Sequence, residues 1–180
     1  PIITADDYYD GWTYQGGAYQ LGFATLWGMG LAAALYLGRD RGLERKHLHE
    51  ITETLNDAPN SLEARPLESI DGISRGEVAP WWRDWITHES RDDYWEALRH
   101  SRDYSRFQIP MLHVGGWFDI FGLGTVRNFQ GIQATGKASQ HLFMGPWAHF
   151  SYDRYLGDME FGPMGAATFA GIIGLYNQFF

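Results

Sequence analysis

Two short apolar runs in the second half of the chain constrain its fold more than any other feature. Ile109-Pro110-Met111-Leu112-His113-Val114 stops at Gly115-Gly116, and His141-Leu142-Phe143-Met144 stops at Gly145-Pro146. Both are too short for a buried helix. Continuous apolar character bounded by glycine is how a strand covered on both faces reads. Pro110 suits the start of a strand, where a missing ladder donor is tolerated. Between the runs, residues 123–134 read as a helix closed by Gly136, and residues 161–180 read as a second helix starting at Gly162-Pro163. Strand, helix, strand and helix at this spacing predict an α/β fold built on a parallel sheet. In such sheets the working residues lie just past the carboxyl ends of the strands. Asp119 holds that place after the first run, and His149 after the second.

The segment before these runs has a different character. Residues 1–106 hold 11 of the 14 Lys and Arg and 18 of the 22 Asp and Glu. Charge there alternates with aromatics, as in short amphipathic helices with one wet face. Leu43, His47, Leu48, Ile51 and Leu55 share one face of such a helix, which Asn56-Asp57-Ala58-Pro59-Asn60 ends. Residues 81–86 and 92–100 predict two more helices, residues 66–78 a loop, and no strand is expected in the first hundred residues. Residues 18–37 carry no charge over a length that could span a bilayer. Gly22, Gly28, Gly30, Gln20 and Thr25 interrupt the stretch, so it reads as a helix buried between layers. Residues 161–180 are likewise uncharged and raise the same question.

Several function classes fall away on composition. The chain has no Cys, which removes disulfides, thiolate nucleophiles and Cys-ligated metal centres. Its net charge of −8 lacks the basic face that a nucleic-acid binder needs. Eight Trp and 16% aromatics suit a heavily packed core or an apolar ligand pocket. His47 and His49 are two apart on one helix, the wrong spacing for a shared metal. Asp6, Asp7 and Asp10 lack the loop pattern of an EF-hand, and Asp92-Asp93 reads as the capped start of a helix. The chain begins at Pro1 and ends apolar, in mid-pattern, at Phe179-Phe180, which reads as a segment of a longer protein.

An Asp and a His on neighbouring strand ends can form the orienting half of a nucleophile triad. The carboxylate accepts the imidazole N–H and fixes its tautomer, and the imidazole then acts as base toward a hydroxyl. An Asp in a surface turn and a His bonded to backbone would give the same spacing, and spacing alone does not separate the two. A third member should be a Ser in Gly-x-Ser-x-Gly between a strand and a helix. Gly72-Ile73-Ser74-Arg75-Gly76 is a literal match in the right order. Its surroundings are wrong. Residues 64–71 are not an apolar strand, and Glu77-Val78-Ala79-Pro80 breaks any helix almost at once. Ser74 is therefore expected to be a decoy.

Gly115-Gly116-Trp117-Phe118-Asp119 and Met144-Gly145-Pro146-Trp147-Ala148-His149 resemble the acid and histidine motifs of the cocaine esterase/X-Pro dipeptidyl-peptidase family of serine hydrolases. The stretch from Asp6 to Ala18 resembles the segment that follows that family's nucleophile, and Ala79-Pro80-Trp81-Trp82 and Asp92-Asp93-Tyr94-Trp95 resemble the end of its helical cap. The resemblance implies an α/β-hydrolase fold fragment. Residues 1–106 would be the cap subdomain with its lead-in, and 107–180 the last βαβα part of the sheet. The nucleophile Ser and the oxyanion donors would lie upstream of Pro1, and a jelly-roll domain beyond Phe180. Asp119 and His149 would be catalytic, with no cofactor and no metal. Trp12, Trp27 and Phe121 would line the acyl pocket, although plain core packing uses the same residues.

Amino-ester hydrolases of that family place carboxylates just after the catalytic Asp. Ile120, Phe121 and Gly122 stand there in this chain. The expected substrate is thus a small ester or peptide with an apolar or aromatic acyl group, with no nucleic acid and no membrane as partner. The competing expectations are a non-catalytic binding module or pseudoenzyme fragment of the same fold, and a membrane-associated segment using the uncharged stretches.

Overall fold

Gly16 and Gly17 both take positive φ, 58° and 85°, which only a residue without Cβ adopts freely. They form the two-residue turn of a hairpin, β1 (Tyr14–Gln15) and β2 (Ala18–Tyr19), with Tyr14 opposite Tyr19. The sequence reading expected no strand here. The Gly-Gly signal was present, but each strand is only two residues long, too short to show alternation. The computed structural model describes residues 7–37, 45–57 and 79–180, together with Asn60 and Glu63. These divide into two compact units, residues 12–97 and residues 98–180 with the short segment before Trp12.

In the first of these units, α1 (Leu21–Leu37) follows the hairpin, then α2 (Arg45–Asn56), α3 (Pro80–Thr87) and α4 (Asp93–Leu98). Pro80 opens α3, where its missing N–H is harmless. Met29, Ala32, Ile51, Ala79, Trp82 and Ile86 form the core. Trp82 is fully buried, and its indole N–H donates to Thr25 Oγ1 at 3.3 Å. Gly28 is what lets α3 come this close, since a Cβ there would lie 3.1 Å from Trp82 Cδ1. Of the glycines that interrupt the uncharged stretch, Gly28 therefore serves helix packing, whereas a Cβ at Gly22 or Gly30 would meet nothing within 4 Å. No helix among the described residues is long and apolar enough to cross a membrane.

The turn from α3 to α4 is tied by side chains. Asp92 Oδ2 accepts from His88 Nδ1 at 2.5 Å, and its Oδ1 accepts the Tyr94 amide at 3.1 Å. The His88 and Tyr94 rings stack at 4.4 Å, and the Trp95 indole N–H donates to the His88 carbonyl. The Asp92 carboxyl is held below its ordinary range, first by the His88 hydrogen bond.

The second unit carries the strand–helix–strand element. β3 (Met111–Gly116) and β4 (Gln140–Gly145) pair in parallel, Met111 opposite Gln140 and Gly116 opposite Gly145. α5 (Gly122–Ala134) joins them. The Gln140 amide donates to the Ile109 and Ala138 carbonyls, and its oxygen lies 2.9 Å from His113 Nε2, which fixes the register at the strand starts. Beyond β4 the expected helix over 161–180 is corrected. A hairpin, β5 (Tyr155–Leu156) and β6 (Met159–Glu160), comes first, then a single tight turn at Pro163–Gly165, and only then α6 (Ile172–Phe179). Gly162 and Gly171 both have positive φ, 72° and 76°, and so break the helical path twice.

Two outcomes follow from this packing. Trp82→Ala empties the centre of the helical unit, and a urea titration is expected to show a loss of about 3–5 kcal/mol. A carboxyl whose pKa is lower folded than unfolded stabilises the fold above its unfolded value, and that contribution disappears as pH falls through the folded value. Protection of the Tyr94 amide, its exchange rate relative to the intrinsic rate at the same pH, is therefore expected to fall as pH drops below the ordinary Asp range. In Asp92→Asn this pH-dependent loss of protection should be absent.

Candidate active site

Parallel pairing brings the ends of β3 and β4 to one level, so the chain leaves both strands side by side. The loop after β3 is bonded to the loop after β4. Trp117 N–H donates to the Gly145 carbonyl at 2.9 Å, and Phe118 N–H to the Trp147 carbonyl at 3.0 Å. The first loop then turns tightly, with Asp119 N–H on Gly116 O and Gly122 N–H on Asp119 O. Asp119 Oδ1 accepts the Phe121 amide at 2.8 Å, one of the donors left open at the start of α5. The second loop makes a narrow turn closed by mutual hydrogen bonds between Ala148 and Ser151, with His149 and Phe150 at its tip.

His149 Nδ1 lies 3.2 Å from both oxygens of Asp119. An ionised carboxylate only accepts, so Nδ1 carries the proton in this contact. That leaves Nε2 as the nitrogen able to take a proton from a reacting group. The Asp119 side chain is 14% exposed and that of His149 is 32% exposed, so the pair is shielded on the carboxylate side and open on the imidazole side. Two aromatic rings flank the imidazole edge-on, Phe121 at 5.0 Å and Phe150 at 4.5 Å. Phe150 has no counterpart in the sequence reading. Its only signal was adjacency to His149, and a ring at a turn tip shows no periodicity.

The other sequence candidates are placed as follows. Trp12 and Trp27 lie in the helical unit and meet there at 6.2 Å, with Phe23 against both. Trp12 is buried, whereas Trp27 is among the exposed large side chains. The hydrogen-bond and ring partners of His149 among the described residues are Asp119, Phe121 and Phe150, with no serine hydroxyl. Ser74 lies outside the described residues. Asp7 spends its carboxylate locally, accepting from the Tyr9 and Asp10 amides. His49 is a surface residue 4.0 Å from Glu53, and the side chain of His47 is outside the described set. No group of three or more metal-ligating side chains occurs among the described residues.

Residues 1–151 match the family described as X-Pro dipeptidyl-peptidase (S15 family). The chain is also similar to the cocaine esterase of Rhodococcus sp. (strain MB1 Bresler), 26% identical over 166 residues. That alignment covers 89% of this chain and 28% of the esterase, so the chain spans about a quarter of that relative's length.

Removing the Asp119 carboxylate leaves the Phe121 amide without its acceptor as well as His149 without its partner. Asp119→Ala is expected to lower stability by about 1–3 kcal/mol in a denaturant titration. An unchanged midpoint would mean that the loop does not need this carboxylate.

Proposed function

Because the chain belongs to the X-Pro dipeptidyl-peptidase (S15) family, we propose that it is part of a serine hydrolase that cleaves ester or amide bonds through an acyl-enzyme. The observation that carries this reading is the contact between His149 Nδ1 and the Asp119 carboxylate at 3.2 Å. Asp119 orients the imidazole and stabilises the imidazolium. His149 Nε2 takes the proton of a serine hydroxyl as its oxygen attacks the acyl carbon, then gives that proton to the departing alcohol or amine. Water repeats the sequence and releases the acid.

In this reading the nucleophile and the oxyanion donors belong to parts of the protein outside this chain, in keeping with its 28% coverage of the esterase. Residues 1–106 act as the helical cap with its lead-in, and 107–180 as the last part of the α/β-hydrolase sheet. Trp12, Trp27 and Phe121 are the proposed contacts for the acyl group. Ile120, Phe121 and Gly122 after the acid offer no carboxylate to a substrate amine, which favours a neutral apolar or aromatic acyl group. No nucleic acid, membrane or cofactor takes part. The alternative reading is a non-catalytic binding or interaction module, or a pseudoenzyme fragment, of the same fold.

Fluorophosphonate labelling beside an activated aryl-ester assay separates the two. The 180-residue chain alone is expected to take no label and to show no turnover above background. A longer form carrying the serine should label stoichiometrically, and Asp119→Asn in it should lower kcat on the order of 10⁴-fold. Labelling of a serine within this chain, with turnover that dies in Asp119→Asn, would place the nucleophile here. No labelling in the longer form would leave the binding reading standing.

A further inference from the structure

Trp147 is one of the largest fully buried side chains of the protein, at 1% exposure, yet it sits two residues from a half-open imidazole. Its indole N–H donates to the Gly165 carbonyl at 2.7 Å, across 18 residues that contain His149 and the β5–β6 hairpin. Phe143 and Tyr152 pack on the ring at 5.8 and 5.7 Å. The backbone of the same residue is held just as closely. Its carbonyl receives the Phe118 amide from the loop that bears Asp119. A Cβ at Gly116 would overlap that carbonyl, and a Cβ at Gly145 would overlap the indole itself. One residue thus joins the acid loop, the histidine turn and the far end of the segment beyond it.

We propose that Trp147 is the positioning residue of the Asp119–His149 pair: its indole, anchored on Gly165 and lodged against Gly145, sets where the His149 turn stands relative to the Asp119 loop. The indole's hydrogen-bond and ring partners are Gly165, Phe143 and Tyr152, and its link to the pair runs through the backbone. The effect on turnover rests on the hydrolase reading; the effect on the imidazole does not.

The test reads the tautomer of His149 in the 180-residue chain from long-range 1H–15N correlations of the neutral ring, assigned with a His149→Gln control. Held against the carboxylate, the ring should carry its proton on Nδ1. Trp147→Phe keeps a ring but removes the anchoring N–H. Gly145→Ala leaves Trp147 in place and pushes its indole away. Both variants should lose the Nδ1–H form, and in a longer, serine-bearing form both should lower kcat by about 10²-fold with KM held, the cost of roughly an ångström of misplacement. Retention of the Nδ1–H form in either folded variant overturns the proposal. So does failure of both variants to fold, which would make Trp147 a core support and nothing more. A lost tautomer alongside a longer form that never turns over would instead sink the hydrolase reading and leave this one intact.

Discussion

The candidate site depends on how closely two backbones approach at the ends of β3 and β4. Gly116 lies opposite Gly145, both are buried, and the hydrogen bonding continues past the strands into the loops through Trp117 N–H to Gly145 O and Phe118 N–H to Trp147 O. Each such bond is worth about 0.5–1.5 kcal/mol net, and leaving its groups buried and unpaired costs more. A carboxylate–imidazole contact with the ring 32% exposed contributes about 0–1 kcal/mol at most. The backbone therefore sets the geometry of the pair, and the pair does not hold the loops together. This is how a site can stay open to solvent on one side and still be preorganised.

Legibility from sequence followed the range of the interactions. β3, α5 and β4 were readable because each has a local signature: an apolar run, a glycine stop, a helical period. The strand bounds moved by one or two residues, with β3 starting at Met111 after Pro110. The positions of Asp119 and His149 followed from those strands. Hydrogen-bond reach between them was expected from the two strand-end motifs, but its 3.2 Å geometry depends on the register of Gly116 against Gly145, which one sequence does not encode locally. The same limit hid the anchoring of Trp147 on Gly165. Residues 161–180 misled for a different reason. Their lack of charge suggested one continuous helix, and the backbone freedom of Gly162 and Gly171 outweighed composition.

The helical unit shows why so many aromatics occur in a short chain. Its core is small, and Trp82 and Trp95 fill it with few residues, each also placing an indole N–H on a defined acceptor. Tyr14 reaches the Trp85 carbonyl with its hydroxyl and packs edge-on against Tyr19 and Trp95. Trp82, Trp95 and Tyr14 each thus supply apolar area and one directional bond. An aliphatic core of equal volume would fill the space without fixing the angles between hairpin, α1 and α3.

Around the pair the chain does the opposite and leaves apolar surface uncovered. The Asp119 loop exposes Trp117, Phe118 and Ile120, and the His149 turn exposes Phe150 at 86%. Covering a side chain of this kind is worth about 1.5–3 kcal/mol, so leaving several exposed on two adjacent loops is a cost that the fold itself does not recover. Exposed apolar side chains of this kind are what a further part of a longer protein or an apolar ligand would cover. A charged group brought there would lose water and find no opposite charge in Ile120, Phe121 or Gly122. The neutral acyl group proposed above would cover the rings without that loss. On the proposed reading, the surface that is costly in the free chain is thus the part of the site that would select its acyl group.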